Sequence, residues 1–344
     1  MLWADALTAP VAKFEDVRYN LGLMKRAAIG VDIGGTNVKL GLVDEKGKVL
    51  LRGTFLTKSA PSKKALLIKL AEHIRSFQAE AERRKLRLAG VGIGAPGPID
   101  VTRGFVYSFP NIRGWENVPF KKLLQQKIQI PVVVDNDANA MAWGEYCFGA
   151  GKGARNIIAL TLGTGIGGGI VLDGKLFHGP HFSAAEFGHM VVDVNGLLCG
   201  CGNRGCIETF VGNGYFVKDV QEHLDAGGHS LLREWTLRQH KELTPKLVQE
   251  AARQGDKLAI GQWKKTGAYL GTWLAGLANV FGPERIILGG GVAQAGALLL
   301  DPVRETLKKK AFPIASRFVK VLPALLGPDA GLIGAAALAF PRKK

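Results

Sequence analysis

Asp32-Ile33-Gly34-Gly35-Thr36-Asn37-Val38-Lys39 sets a carboxylate at the end of one apolar run, a two-glycine turn and a hydroxyl after it, and a lysine inside the next run. Glycines let backbone N–H groups approach an anion closely. The turn joins strand to strand, unlike the strand-to-helix turn of a Walker loop. Taken alone, the octapeptide is equally a plain hairpin. Working outward, residues 28–33, 38–43 and 49–55 read as three strands of an antiparallel meander, with Asp44-Glu45-Lys46-Gly47 as the second turn. Leu67, Leu70, Ile74 and Phe77 then recur at helical spacing within 61–85, and 89–93 is a further apolar strand. The expectation is an α/β fold.

The same order of events returns in the middle of the chain. Residues 156–162 read as a buried strand, and Leu162-Gly163-Thr164-Gly165-Ile166-Gly167-Gly168-Gly169 leads into the next, 168–172. Five glycines in eight residues are costly in chain entropy, and close approach of the backbone to a ligand is a reason to carry them. Two such turns, one per half, suit a phosphate chain gripped from opposite sides. Leu270, Leu274, Leu277 and Phe281 mark a buried helix. After it, 285–288 is a short strand ending in Gly289-Gly290-Gly291, a triplet that reads equally as a tight turn and as the wall of a nucleotide site. The expected division is an N-terminal extension over 1–26, a small α/β domain over 27–134 and a larger α/β domain over 135–324. A last helix, 325–344, returns to the first domain.

Two further clusters carry chemistry. Residues 132–134 read as a strand delivering Asp135-Asn136-Asp137-Ala138-Asn139 to a helix over 140–148, so Asp137 is a helix cap or a general base. Cys199-Gly200-Cys201-Gly202-Asn203-Arg204-Gly205-Cys206 places three thiols in eight residues, with His189 ten positions before the first. Three cysteines and a histidine make a structural zinc set, closed to water; a disulfide or redox pair is the alternative. Cys147 reads as core, and His178 and His181 as ordinary loop histidines.

The formal charge of +16 would suit polyanions, yet the basic residues are dispersed in short groups such as 308–310 and 342–344, which fits a solvated surface. A polyphosphate donor stays open. Residues 1–23 lack the basic region and apolar block of a secretion signal, so a cytoplasmic protein is expected, and Met24 is an alternative start. Long uncharged stretches such as 157–172 are broken by glycine and threonine and fall short of the roughly 20 residues of a membrane span.

The two glycine turns resemble the paired phosphate signatures of the sugar kinase, actin and hexokinase superfamily. The 135–139 segment and the cysteine string resemble those of its ROK (repressor, open reading frame, kinase) family, in particular the zinc-containing ATP-dependent glucokinases, and the likeness extends over 27–340. It implies a two-domain actin/hexokinase-like fold, a duplicated ribonuclease H-like unit with the active site in the cleft. It also implies transfer of phosphate from ATP, with Mg²⁺, to the 6-hydroxyl of a hexose, glucose before others. By the resemblance, Gly34, Gly35, Thr36 and Lys39 lie near the phosphates with Thr164 and Gly165 opposite, Asp32 acts through Mg²⁺ and its waters, and Gly289, Gly290 and Gly291 line the nucleotide side. Asp137 is the base. Asn136, Glu186, His189 and Glu208 contact sugar hydroxyls, with Gly97 and Asn111 in support. His189, Cys199, Cys201 and Cys206 bind Zn²⁺. A homodimer is implied, with no membrane and no specific nucleic acid.

Fructokinase, N-acetylmannosamine kinase and polyphosphate-dependent glucokinase share this framework, and sugar-responsive repressors share the family. A helix-turn-helix module with its linker needs far more than the 26 residues before Ala27, and they carry no recognition-helix pattern. One departure stands out: Ala184-Ala185-Glu186 occupies the place of the family's alanine-glycine-glutamate.

Overall fold

A computed structural model of the chain describes residues 25–109 and 115–341. The opening octapeptide joins β1 (Arg26–Ile33) to β2 (Asn37–Asp44), and β3 (Val49–Leu56) completes the meander. Strand β1 is buried along nearly its whole length, so its apolar run needs no alternation. Ser62 caps helix α1 (Lys63–Arg83) by accepting from Ala65 N, and Leu66, Leu70, Ile74 and Phe77 form its buried stripe. Next come β4 (Arg87–Ala95), the short strands β5 (Ile99–Asp100), β6 (Phe105–Ser108) and β7 (Glu116–Val118), and helix α2 (Phe120–Ile128). Strand β8 (Val132–Asn136) runs directly into helix α3 (Asp137–Phe148).

The second half repeats the plan with β9 (Ile157–Leu162), β10 (Ile166–Leu172) and β11 (Lys175–Leu176). Helices α4 (Glu208–Val211), α5 (Asn213–Asp225), α6 (Leu231–Leu237), α7 (Pro245–Arg253) and α8 (Lys257–Phe281) follow. The chain continues through β12 (Arg285–Gly289), α9 (Ala297–Lys310), α10 (Pro313–Phe318), β13 (Lys320–Pro323) and α11 (Ala330–Ala339).

One sheet has the order β3-β2-β1-β4-β8 and the other β11-β10-β9-β12-β13. In each, the first three strands of the half pair antiparallel and the fourth and fifth add in parallel. The α/β duplication expected from the sequence is therefore present strand for strand. Each half has its own apolar core, under β1, β2, β4 and β8 in the first and under β9, β10 and β12 in the second.

Helix α11 packs against β1 and β4 of the first sheet and against α3. Small residues permit this approach: a methyl group on Gly92 would collide with Ala335 O, and one on Gly334 with Ala140 O. Glu145 of α3, wholly buried, accepts from Ala150 N (2.8 Å), Leu325 N (3.2 Å) and Leu326 N (2.8 Å), tying the approach to α11 to α3. The sheet β5-β6-β7 and helix α2 were not anticipated from the sequence. Among the described residues, no helix is long and apolar enough to cross a membrane.

Candidate active site

The two sheets bring their strand ends to a common region. Asp32 closes β1, and the turn after it is held by Gly34 N donating to Asn37 O at 2.9 Å. Thr57 fixes the turn from below, its hydroxyl donating to Gly34 O (2.7 Å) and its N–H to Thr36 O (2.9 Å). Lys39 Nζ donates to Pro328 O at 3.0 Å, and Arg52 pairs with Asp329 at 2.7 Å, so the segment ahead of α11 is fastened to β2 and β3. Asn136 ends β8 and caps α3, its Oδ1 accepting from Ala138 N and Asn139 N. Asp137 is therefore the first residue of a capped helix, fixed in place before any ligand arrives.

Two cavities meet at Asp137. The larger, of about 600 Å³, is lined by Asp32, Asp137, Thr161, Gly289, Gly290, Gly291 and Pro328 among others. The smaller, of about 230 Å³, is lined by Gly97, Asn136, Asp137, Phe182, Ala185 and Glu186 among others. Among the described residues, only Asp137 and Ala138 line both. Gly290 has φ 85°, and a side chain there would strike the backbone of Leu162, so its glycine serves the tight turn while the triplet also walls the larger cavity.

Burial raises the pKa of the Asp137 carboxyl, the N–H of Ala138 opposes the rise, and the nearby charge of Glu186 adds to it. Burial also pushes Asp32 up to about 6, with the charge of Asp137 reinforcing this and Lys39 opposing it. Two carboxylates facing one cavity, both with raised proton affinity, make a site that gains from a cation or from a proton leaving a substrate.

The His189, Cys199, Cys201 and Cys206 donor atoms lie within 4.8 Å of one another. Cys201 Sγ and Cys206 Sγ are 3.7 Å apart, and Cys199 Sγ is 3.6 Å from His189 Nδ1. A tetrahedral zinc ion with bonds of about 2.3 Å to sulfur and about 2.0 Å to nitrogen has edges of about 3.8 Å between sulfurs and about 3.5 Å between sulfur and nitrogen, so these two edges match such an ion and the set as a whole is near its size. Burial pushes the Cys206 thiol up to about 12 and raises Cys199 as well, which leaves these thiols protonated until a metal replaces the protons. Glu208 links this cluster to the second glycine turn: its Oε2 accepts from Ile166 N (3.0 Å) and its Oε1 lies 3.7 Å from Cys199 Sγ. Gly165 lies against the same carboxylate.

Of the residues singled out in the sequence, Asp32, Asp137 and the 289–291 glycines share the larger cavity, and Gly97, Asn136, Asp137 and Glu186 share the smaller. Gly34, Gly35, Thr36, Lys39, Thr164 and Gly165 line neither, and His189 and Glu208 belong to the cysteine cluster. Asn111 lies outside the described residues. His178 is not an idle loop histidine: its Nε2 sits 2.8 Å from Oδ2 of the buried Asp135. No local sequence signal marks that pair, which spans 43 positions. Ala185, at the site of the noted departure, has φ 71°, a conformation that favours glycine. Cys147 is partly buried against the cluster around Met141 and Trp143.

Residues 28–342 match the model of the ROK family. A glucokinase of Streptomyces coelicolor is 40% identical over 321 residues, covering 90% of this chain and 96% of that protein. A xylose repressor of Caldicellulosiruptor bescii is 31% identical, over 90% of this chain and 77% of the repressor. Among solved structures, the ROK family glucokinase of Streptomyces griseus in complex with glucose and AMPPNP superposes with a TM-score of 0.73 at 39% identity, covering 91% of this chain and 98% of that one.

Proposed function

The chain belongs to the ROK family, and we propose that it is an ATP-dependent sugar kinase that phosphorylates the 6-hydroxyl of a hexose, glucose before others, with Asp137 as the base. The observation that carries this reading is the position of Asp137 at the junction of two cavities. Phosphoryl transfer needs an acceptor hydroxyl and a phosphate chain to meet at one carboxylate, and the larger glycine-walled cavity suits a nucleotide while the smaller suits a sugar.

In this reading Asn136, Glu186 and Gly97 hold the sugar hydroxyls from the smaller cavity, with His189, Glu208 and Asn111 completing the set. Fixed polar groups discriminate between hexoses because a misplaced hydroxyl leaves them unpaired. Asp137 orients the 6-hydroxyl and takes its proton as the oxygen attacks the γ-phosphorus, and its raised proton affinity makes it a better base than an exposed carboxylate. Gly34, Gly35, Thr36 and Lys39, with Thr164 and Gly165 opposite, hold the phosphates, and Gly289, Gly290 and Gly291 face the adenosine. Asp32 would hold Mg²⁺ through its waters; bound there, Mg²⁺ supplies positive charge against the phosphate oxygens. Lys39 must exchange Pro328 O for phosphate to take part.

His189, Cys199, Cys201 and Cys206 would hold zinc in a site with no position left for water, so the metal braces the loop that follows Glu186 and does no chemistry. Units 27–134 and 135–324, with 325–344 returning to the first, would close over the substrates and exclude water. A cytoplasmic homodimer completes the reading.

The repressor relative supports a second reading, a sugar-responsive regulator, but the carboxylate pair of Asp32 and Asp137 beside a glycine-walled cavity favours an enzyme. The test is ADP release over a panel of hexoses with MgATP, repeated with polyphosphate as donor. Turnover strongest on glucose with ATP supports the proposal, another sugar or donor changes the substrate and keeps the mechanism, and no turnover on any pair refutes it.

A further inference from the structure

The loop between β11 and Glu186 contains two residues with side chains in the left-handed region, Phe182 (φ 58°) and Ala185 (φ 71°). Both line the smaller cavity. Residues keep such unfavourable backbone angles only where their surroundings hold them. Here the base of the loop is closed by Ala184 N donating to His178 O at 3.1 Å, and the ring of His178 reaches across to Asp135 with Nε2 2.8 Å from Oδ2.

Asp135 is 3% exposed, and its other oxygen, Oδ1, accepts from Asn136 N (2.7 Å) and Asn139 Nδ2 (3.0 Å). An ionised carboxylate only accepts, so toward it Nε2 of His178 is the donor. One buried carboxylate thereby joins the strand end that carries Asn136 and Asp137 to the loop that carries Glu186. His178 lines neither cavity, so it touches no substrate in either.

We propose that His178 is a positioning residue: clamped on Asp135, it fixes Glu186 and Phe182 against Asp137 across the smaller cavity and so sets the affinity for the acceptor sugar. The proposal rests on the hexose-kinase reading and adds to it a residue that no local sequence pattern marks. Loss of the clamp leaves Asp135 Oδ2 unpaired in a buried setting and frees a loop whose backbone angles favour another shape.

Steady-state kinetics of the full-length protein test it, with zinc content and melting temperature measured alongside. His178→Ala is expected to raise KM for the hexose on the order of tenfold or more, with KM for ATP within about twofold of wild type and zinc content unchanged. His178→Gln, which keeps one donor toward Asp135, is expected to recover most of the loss. His178→Leu fills the volume without a donor and is expected to behave as the alanine variant, so the reading survives a folding failure of the latter. An unchanged hexose KM in folded His178→Leu, an equal rise in both KM values, or no recovery with glutamine overturns the proposal. A wild-type protein inactive on every hexose removes the kinase reading and this proposal together, whereas an active wild type with an unmoved variant removes this proposal alone.

Discussion

Asp32 at the end of β1 and Asp137 at the start of α3 face one cavity, and the charge of Asp137 adds to burial in raising the Asp32 carboxyl to about 6. For an acid whose folded pKa lies above its ordinary value of 3.8, the folded state binds the extra proton, so ionisation costs stability as pH rises through that window. The cost is absent below about pH 4 and full above about pH 6, where it amounts to roughly 2–3 kcal/mol before any cation binds. Asp32→Asn is therefore expected to raise the melting temperature of the ligand-free protein at pH 8 but not at pH 4, while lowering turnover. Melting curves at the two pH values check this, and an equal shift at both contradicts it.

The His/Cys cluster gives a second expectation. Cys201→Ser should lose most bound zinc and raise the hexose KM, because His189 and Glu208 are attached to the same loop as the donors. Metal analysis with sugar titration measures both effects. A fully zinc-loaded variant with normal sugar affinity would count against a bracing role.

Glu145 has a structural task separable from catalysis. Glu145→Ala leaves the backbone N–H groups of residues 150, 325 and 326 without their acceptor, the first in a buried setting and the other two in a partly buried one, and should cost about 3–5 kcal/mol of unfolding free energy. Glu145→Gln retains one acceptor oxygen and should cost less. Denaturant unfolding of the two variants would show whether that order holds.

How much of this was legible depended on the range of the interactions. The meander and α1 follow from apolar runs, two turn sequences and a helical period, all local, and the repeat of that order near Gly163 pointed to duplication. The sheet β5-β6-β7 was not legible because its strands are two to four residues long and rest on tertiary packing, such as Phe109 edge-on to Trp115 at 4.5 Å. Asp137 could be picked out because its neighbours form a recognisable string, but its place between two cavities could not. The bond from Lys39 to Pro328 spans 289 positions, and the role of His178 is invisible locally because its partner is in a different segment of the fold.

Whether Asp137 accepts the proton of the sugar hydroxyl is decided by the turnover of Asp137→Asn measured beside its nucleotide affinity. The variant keeps the size of the side chain and the helix start. It should lose roughly 10²- to 10⁴-fold in kcat while binding ATP and zinc as the wild type does. A variant that turns over hexose at a rate near wild type would contradict the account.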